Sequence, residues 1–178
     1  MGAVMDELVA FLLARLDEDE LWAAEASRRD DGPVHEGGVH WQWVEPETSV
    51  PVVPDPSRDE LLMDDADNSR FGLWSVEEFP TKYVGPLPSF AIPSAEEVPA
   101  SVAGHIIRHD PARVMWEIAS KRRILAEVVP EIDGMEARID GEWGVGASDP
   151  AERESVTLLR LLALSYSDHP GYRDEWRP

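Results

Sequence analysis

Apolar side chains recur at helical spacing in the first part of the chain, within "MDELVAFLLARLDEDELWAAEASRR". The stripe consists of Met5, Leu8, Leu12 and Leu16. This spacing predicts an amphipathic helix from residue 5 to about residue 29. The next apolar segment, "GVHWQWVE", alternates apolar and polar positions and predicts a strand near residues 39–45. The segment "RFGLWSVEEF" predicts the returning strand near residues 71–78.

Two further helices are predicted on either side of the step Asp110-Pro111, one over about 99–109 and one over about 111–129. An aspartate can cap the free N–H groups of a helix, and proline suits the first helical position. The stretch "RHDPARV" is therefore interpreted as a helix junction. Pro130 is expected to end the second of these helices. A last helix is predicted from Asp149-Pro150 to about residue 165.

The remaining segments carry loop and turn signals. Residues 46–70 are rich in proline and acidic side chains and predict a long surface loop. Residues 134–146 alternate across Asp140-Gly141, which predicts a small β-hairpin with a tight turn. We expect a single, helix-dominated α+β domain over residues 1–178, with about four helices packed on a small antiparallel sheet.

The charge of the chain limits its partners. It has 36 acidic and 16 basic side chains in 178 residues, a formal net charge of −20. Such a surface repels nucleic acid and anionic membranes, so the expected partner is a basic protein, if the charge does more than keep the chain soluble. There is no cysteine, and no signal peptide or membrane span is recognised, so a cytoplasmic location is expected.

Candidate ligand-binding residues lie on the predicted helices. His105 and His109 are four residues apart and can share a ligand or a metal ion, but zinc sites normally show three or four ligands. Arg122 and Arg160 fall within apolar sectors, where a structural ion pair competes with a pocket for an anion. With His169 these residues form a possible small-ligand pocket. No catalytic residue, metal or cofactor is assigned, because no catalytic, phosphate-binding or calcium-loop motif is complete.

Three segments together carry a resemblance to a known family. They are "MDELVAFLLARLDEDE", "FAIPSAEEVPASVAGHIIRHDPARVMWEIASKRRIL" and "TLLRLLALSYSDHPGYRDEWRP". The chain resembles DUF6221, a family of uncharacterised proteins of actinobacteria and their phages. The resemblance implies a small zinc site in relatives that carry cysteines between the central and last helices. This chain has none there, so that site is not expected.

The leading hypothesis is a non-enzymatic interaction or regulatory protein. A variant of it is a phage-encoded inhibitor that imitates nucleic acid with its acidic surface. The alternative is a ligand- or metal-binding protein or enzyme with a pocket around His105, His109, Arg122 and His169. A homo-oligomer formed through the apolar C-terminal tail is also compatible with the sequence, and light scattering distinguishes it from a monomer.

Overall fold

The structure is a computed structural model, and it describes residues 3–27, 38–45, 47–55, 71–89, 91–95, 98–143 and 153–178. It confirms the α+β class, with helices predominating. The helices are α1 Ala3–Ala26, α2 Ala100–Arg108, α3 Pro111–Arg123, α4 Val129–Trp143 and α5 Glu154–Ala163. The strands are β1 Trp41–Glu45, β2 Val50–Val52, β3 Phe71–Ser75, β4 Glu78–Phe79, β5 Leu87–Pro88 and β6 Ala91–Ala95.

The chain divides into two compact units. The first unit contains Met1–Asp19 and Glu117–Pro178, and the second contains Glu20–Trp116. The expectation of a single domain over the whole chain stays a prediction.

The second unit is built on a four-stranded antiparallel sheet with the order β2-β1-β3-β6. Trp43 lies opposite Val52 on one neighbouring strand and opposite Leu73 on the other. Trp43 and Leu73 pack on Ala103 of α2, and all three side chains are buried. The indole N–H of Trp43 donates to the Ala103 carbonyl oxygen at 3.0 Å, so the largest of these three side chains also has its polar group paired.

The helix junction predicted at Asp110 is confirmed. The Arg113 N–H donates to Asp110 Oδ1 at 2.9 Å, and the Trp41 N–H donates to Oδ2 at 3.4 Å. The Ala112 N–H donates to the Val39 carbonyl oxygen at 3.0 Å. The carboxylate therefore caps α3 and also joins it to the start of β1.

The first unit buries the apolar stripe of α1, as the spacing predicts. Leu8, Leu12 and Leu16 are almost completely buried. Apolar residues of the later helices are buried in the same unit, namely Ile118, Leu125, Val129, Val156, Leu159 and Ala163. These side chains supply the apolar burial that stabilises this unit.

The prediction that Pro130 ends a helix is wrong. Helix α3 continues through a π-helical segment, Ile124–Val128, into α4, which contains Pro130 in its first turn. The Val129 N–H donates to the Ile124 carbonyl oxygen, five residues back. This π-helical hydrogen bond shifts the helix register just before Pro130. Pro130 lacks an N–H, and in a regular α-helix its ring would clash with the preceding turn.

The hairpin predicted over residues 134–146 is wrong at positions 134–143, where α4 continues to Trp143, and positions 144–146 lie outside the described residues. Asp133, Glu136 and Asp140 lie at helical spacing and bind the beginning of α5. Arg153 donates to Asp133 at 2.9 Å and to Asp140 at 3.2 Å. Glu136 accepts the Glu154 N–H at 2.6 Å and thereby caps α5. These contacts favour the helix over a local turn.

Other predicted segments lie partly outside the described residues. Of the loop predicted over residues 46–70, positions 46 and 56–70 are outside, and the described part contains strand β2. The predicted helix start at Asp149-Pro150 is outside as well.

Candidate functional site

A short hairpin of the second unit presents apolar side chains to solvent. Strands β4 and β5 pair through Glu78 opposite Pro88 and Phe79 opposite Leu87. The residues between them, 80–86, form the hairpin tip. At the tip, Tyr83 is 87% exposed and Val84 is 74% exposed.

The backbone of the hairpin tip is held by its own hydrogen bonds. The Thr81 hydroxyl donates to the Gly85 carbonyl oxygen at 2.5 Å and accepts the Val84 N–H at 3.3 Å. Gly85 has a φ of +82°, a conformation that glycine adopts without strain. Lys82 Nζ lies 5.4 Å from the centroid of the Tyr83 ring, within cation–π distance. The tip therefore combines a defined backbone with exposed apolar groups.

A histidine–carboxylate pair lies at the base of this hairpin. His40 Nδ1 and Glu77 Oε1 are 2.5 Å apart, and the Ser89 N–H donates to the Glu77 carbonyl oxygen at 3.0 Å. Partial burial by itself raises the pKa of Glu77. Hydrogen bonds from the His40 ring and from the backbone of Glu77 and His40 outweigh that effect and hold the pKa below its ordinary value. The exposed Trp116 ring lies 6.2 Å from the His40 ring, centroid to centroid.

The two histidines predicted on α2 lie side by side. The ring centroids of His105 and His109 are 4.2 Å apart, with an angle of 40° between the ring planes. Both residues are exposed. The His109 N–H donates to the His105 carbonyl oxygen at 3.1 Å, so the backbone that carries the pair is bonded in the last turn of the helix.

The two candidate arginines lie in the first unit. Arg122 Nη2 donates to Asp17 Oδ1 at 2.7 Å, so Arg122 takes part in an ion pair with α1. The Arg122 side chain is 35% exposed, as expected for an apolar stem with its charged end toward water. Arg160 is partly buried, and its Nε has no hydrogen-bond partner among the described residues.

His169 lies in an aromatic cluster of the first unit that is centred on Phe11. The Gly171 N–H donates to His169 Nδ1 at 2.9 Å, and Arg15 Nη1 contacts Nε2. The rings in contact with Phe11 are those of Tyr166, His169, Tyr172 and Trp176. The Tyr166 hydroxyl donates to Asp19 Oδ2 at 2.6 Å. Burial and then this bond raise the pKa of Tyr166 well above its ordinary value.

The structure thus places the candidate residues in both units. His105 and His109 belong to the second unit, while Arg122, Arg160 and His169 belong to the first. A pocket shared by all of them stays a prediction. Within the described part of the chain, no three His, Asp or Glu side chains are grouped closely enough to hold a metal ion. In the same residues, no helix has the length and apolar character needed to cross a membrane.

Comparison with known proteins gives one result. The profile of a family of unknown function, DUF6221, matches residues 5–178. The chain belongs to this family. No curated protein and no solved structure matches this chain significantly.

The hairpin tip of this DUF6221 protein was missed by the sequence interpretation, as was the pair His40–Glu77. The segment "FPTKYVGP" contains a signal for the hairpin, because two prolines and Gly85 surround an apolar pair at Tyr83 and Val84. The contact between His40 and Glu77 joins residues 37 positions apart. No local pattern predicts that contact.

Proposed function

We propose that this DUF6221 protein acts by binding another protein through the hairpin tip, and that it is not an enzyme. The observation that carries the proposal is the exposure of Tyr83 and Val84 on a backbone that is held by hydrogen bonds. A protein gains nothing for its own stability from holding large apolar side chains in water. The same arrangement favours binding, because a loop that is already ordered loses little conformational entropy when a complex forms.

The apolar area at the tip is sufficient for an energetic anchor. A tyrosine side chain can bury about 150 Å² or more at an interface. Removing a large apolar side chain from water is worth about 1.5–3 kcal/mol before the costs of association are subtracted. Tyrosine is also among the residues that most often dominate interface energetics. Tyr83 is therefore the expected centre of the interface, with Val84 beside it.

The partner is proposed to be basic. The net charge of −20 attracts positively charged surfaces over a distance of about 10 Å at moderate ionic strength. This attraction mainly raises the rate of association, whereas the tip determines how long the complex lasts. A partner that itself handles nucleic acid would fit the inhibitor variant, in which the acidic surface imitates a phosphate backbone.

The alternative function, a small-ligand pocket, receives less support from the described residues. Arg122 already has a carboxylate partner in Asp17, and His105 and His109 are exposed. The pair His40–Glu77 resembles the base and orienting carboxylate of some enzymes. No nucleophilic side chain is hydrogen-bonded to His40 among the described residues, so the geometry supports binding better than catalysis.

The first test is affinity capture with the tagged chain from an actinobacterial lysate, the source that the family resemblance suggests. Captures at low and high salt are compared for the wild type, Tyr83→Ser and Val53→Ser. Val53 is a matched control, because it is an apolar residue of the same unit and is 86% exposed. A captured protein is then purified, and its dissociation constant is measured for each variant.

We expect one specific partner whose binding to Tyr83→Ser is weaker by about 30-fold or more, the effect of losing an interface anchor. Val53→Ser should bind like the wild type, and high salt should weaken both alike. Equal capture by Tyr83→Ser and the wild type would contradict the role of the hairpin tip. The absence of a specific partner at both salt concentrations would contradict an interaction function.

A further inference from the structure

His105 and His109 bring two imidazole rings together at the surface of the second unit. His105 lies in the last turn of α2 and His109 is the residue directly after the helix; both are exposed, and their ring centroids are separated by 4.2 Å. We propose that this pair binds a late first-row divalent transition-metal ion, such as Ni²⁺, Cu²⁺ or Zn²⁺, at the surface of the second unit. The proposal is independent of the binding function of the hairpin tip.

The observed spacing is close to that of two imidazoles that share an ion. An ion about 2.1 Å from each ligating nitrogen, with a right angle at the metal, places the two ring centroids about 4.5 Å apart. The measured 4.2 Å differs from this by a few tenths of an ångström.

The ligand set also selects the class of ion. The group contains no carboxylate that completes a set of three ligands among the described residues. Asp110, the residue after His109, is occupied by the N–H groups of Arg113 and Trp41. Imidazole nitrogen favours nickel, copper and zinc, whereas magnesium and calcium require oxygen ligands.

The surrounding charges act in opposite directions. Arg108, between the two histidines in the sequence, repels a cation, while the net charge of −20 attracts one. With two protein ligands the ion keeps open coordination positions for water or for a ligand from another molecule. We therefore expect an accessible, exchangeable site of moderate affinity.

The test is calorimetric titration of the full chain with Ni²⁺ at about pH 7.5, because metal ions compete with protons for imidazole nitrogen. The variants are His105→Ala, His109→Ala and the control His40→Ala, which removes a histidine outside the pair. Circular dichroism spectra establish that each variant is folded. A second series repeats the titration in excess Mg²⁺.

We expect one Ni²⁺ site per chain, weakened by about tenfold or more in either single variant of the pair, because each loses one of only two ligands. His40→Ala should bind Ni²⁺ like the wild type, and Mg²⁺ should not compete. Binding that is unchanged in His105→Ala and His109→Ala would overturn the proposal. Competition by Mg²⁺ would also overturn it, since the ion would then be held by carboxylates.

Discussion

Replacing Gly141 with alanine distinguishes helix α4 from the hairpin that the step Asp140-Gly141 predicts. In a tight hairpin turn of this kind the glycine has a positive φ, a conformation that alanine adopts only with strain. In the structure, Gly141 is helical, and apart from its chain neighbours and the backbone of its own helix no atom of the described residues lies within 4 Å of the position that a Cβ would occupy. Gly134, in the interior of the same helix, has equally open surroundings.

The expected changes follow from helix propensity. Alanine is favoured over glycine by about 1 kcal/mol in the interior of a helix, so Gly134→Ala should raise the free energy of unfolding by about that amount. Gly141 lies in the last turn of α4, where helices fray, and roughly half of that gain is expected. The sites are seven residues apart, so the double variant should gain about 1.5 kcal/mol. This corresponds to a rise in Tm of about 3–6 °C.

Thermal and urea unfolding followed by circular dichroism measure these differences. Gly85→Ala is the control with the opposite sign, because Gly85 has a φ of +82° and alanine there is strained. We expect Gly85→Ala to lower the free energy of unfolding by about 1 kcal/mol. If Gly141→Ala lowered stability by a similar amount, the helix at this position would be refuted and the hairpin supported.

Two further predictions concern ion pairs. The side chains of Arg153, Asp133 and Asp140 are each no more than 25% exposed, and Arg153→Met removes the contacts of Arg153 with both carboxylates. This should cost about 2 kcal/mol in urea unfolding, and a loss below about 0.5 kcal/mol would contradict a stabilising role. In Glu77→Gln the contact with His40 is weakened. Because the folded pKa of Glu77 is lowered, the stability difference from the wild type should be present above about pH 4.5. It should disappear as the pH falls through the folded pKa, whereas a pH-independent difference would contradict this assignment.

Local patterns predicted several elements of the fold correctly. The apolar stripe of α1 is buried at Leu8, Leu12 and Leu16. Which face of the helix is buried can be predicted from the helical period alone. The strand around Trp43 and the junction at Asp110 are also confirmed. Each of these signals is complete within about ten neighbouring residues, and the local preference agrees with the tertiary structure.

The two wrong predictions have a common cause: each followed a local sequence signal that the surrounding structure overrides. Pro130 and the step Asp140-Gly141 are local signals for a helix end and a turn. At Pro130, the preceding π-helical segment accommodates the missing N–H. Near Gly141, the carboxylates of α4 bind Arg153 and the N–H of Glu154, residues that come later in the chain. Their spacing at positions 133, 136 and 140 is a helical signal that the alternation of apolar residues outweighed.

Some features of the candidate sites follow from local spacing in the sequence, whereas others depend on the tertiary structure. The sequence by itself determined that His105 and His109 lie close together and that Asp110 caps the next helix, because both follow from spacing over about one helical turn. Only the tertiary structure decided that Arg122 pairs with Asp17 and that Tyr83 is exposed at a hairpin tip. Ion pairing and exposure depend on which distant segments pack nearby, and hydrophobic periodicity carries no information about those partners.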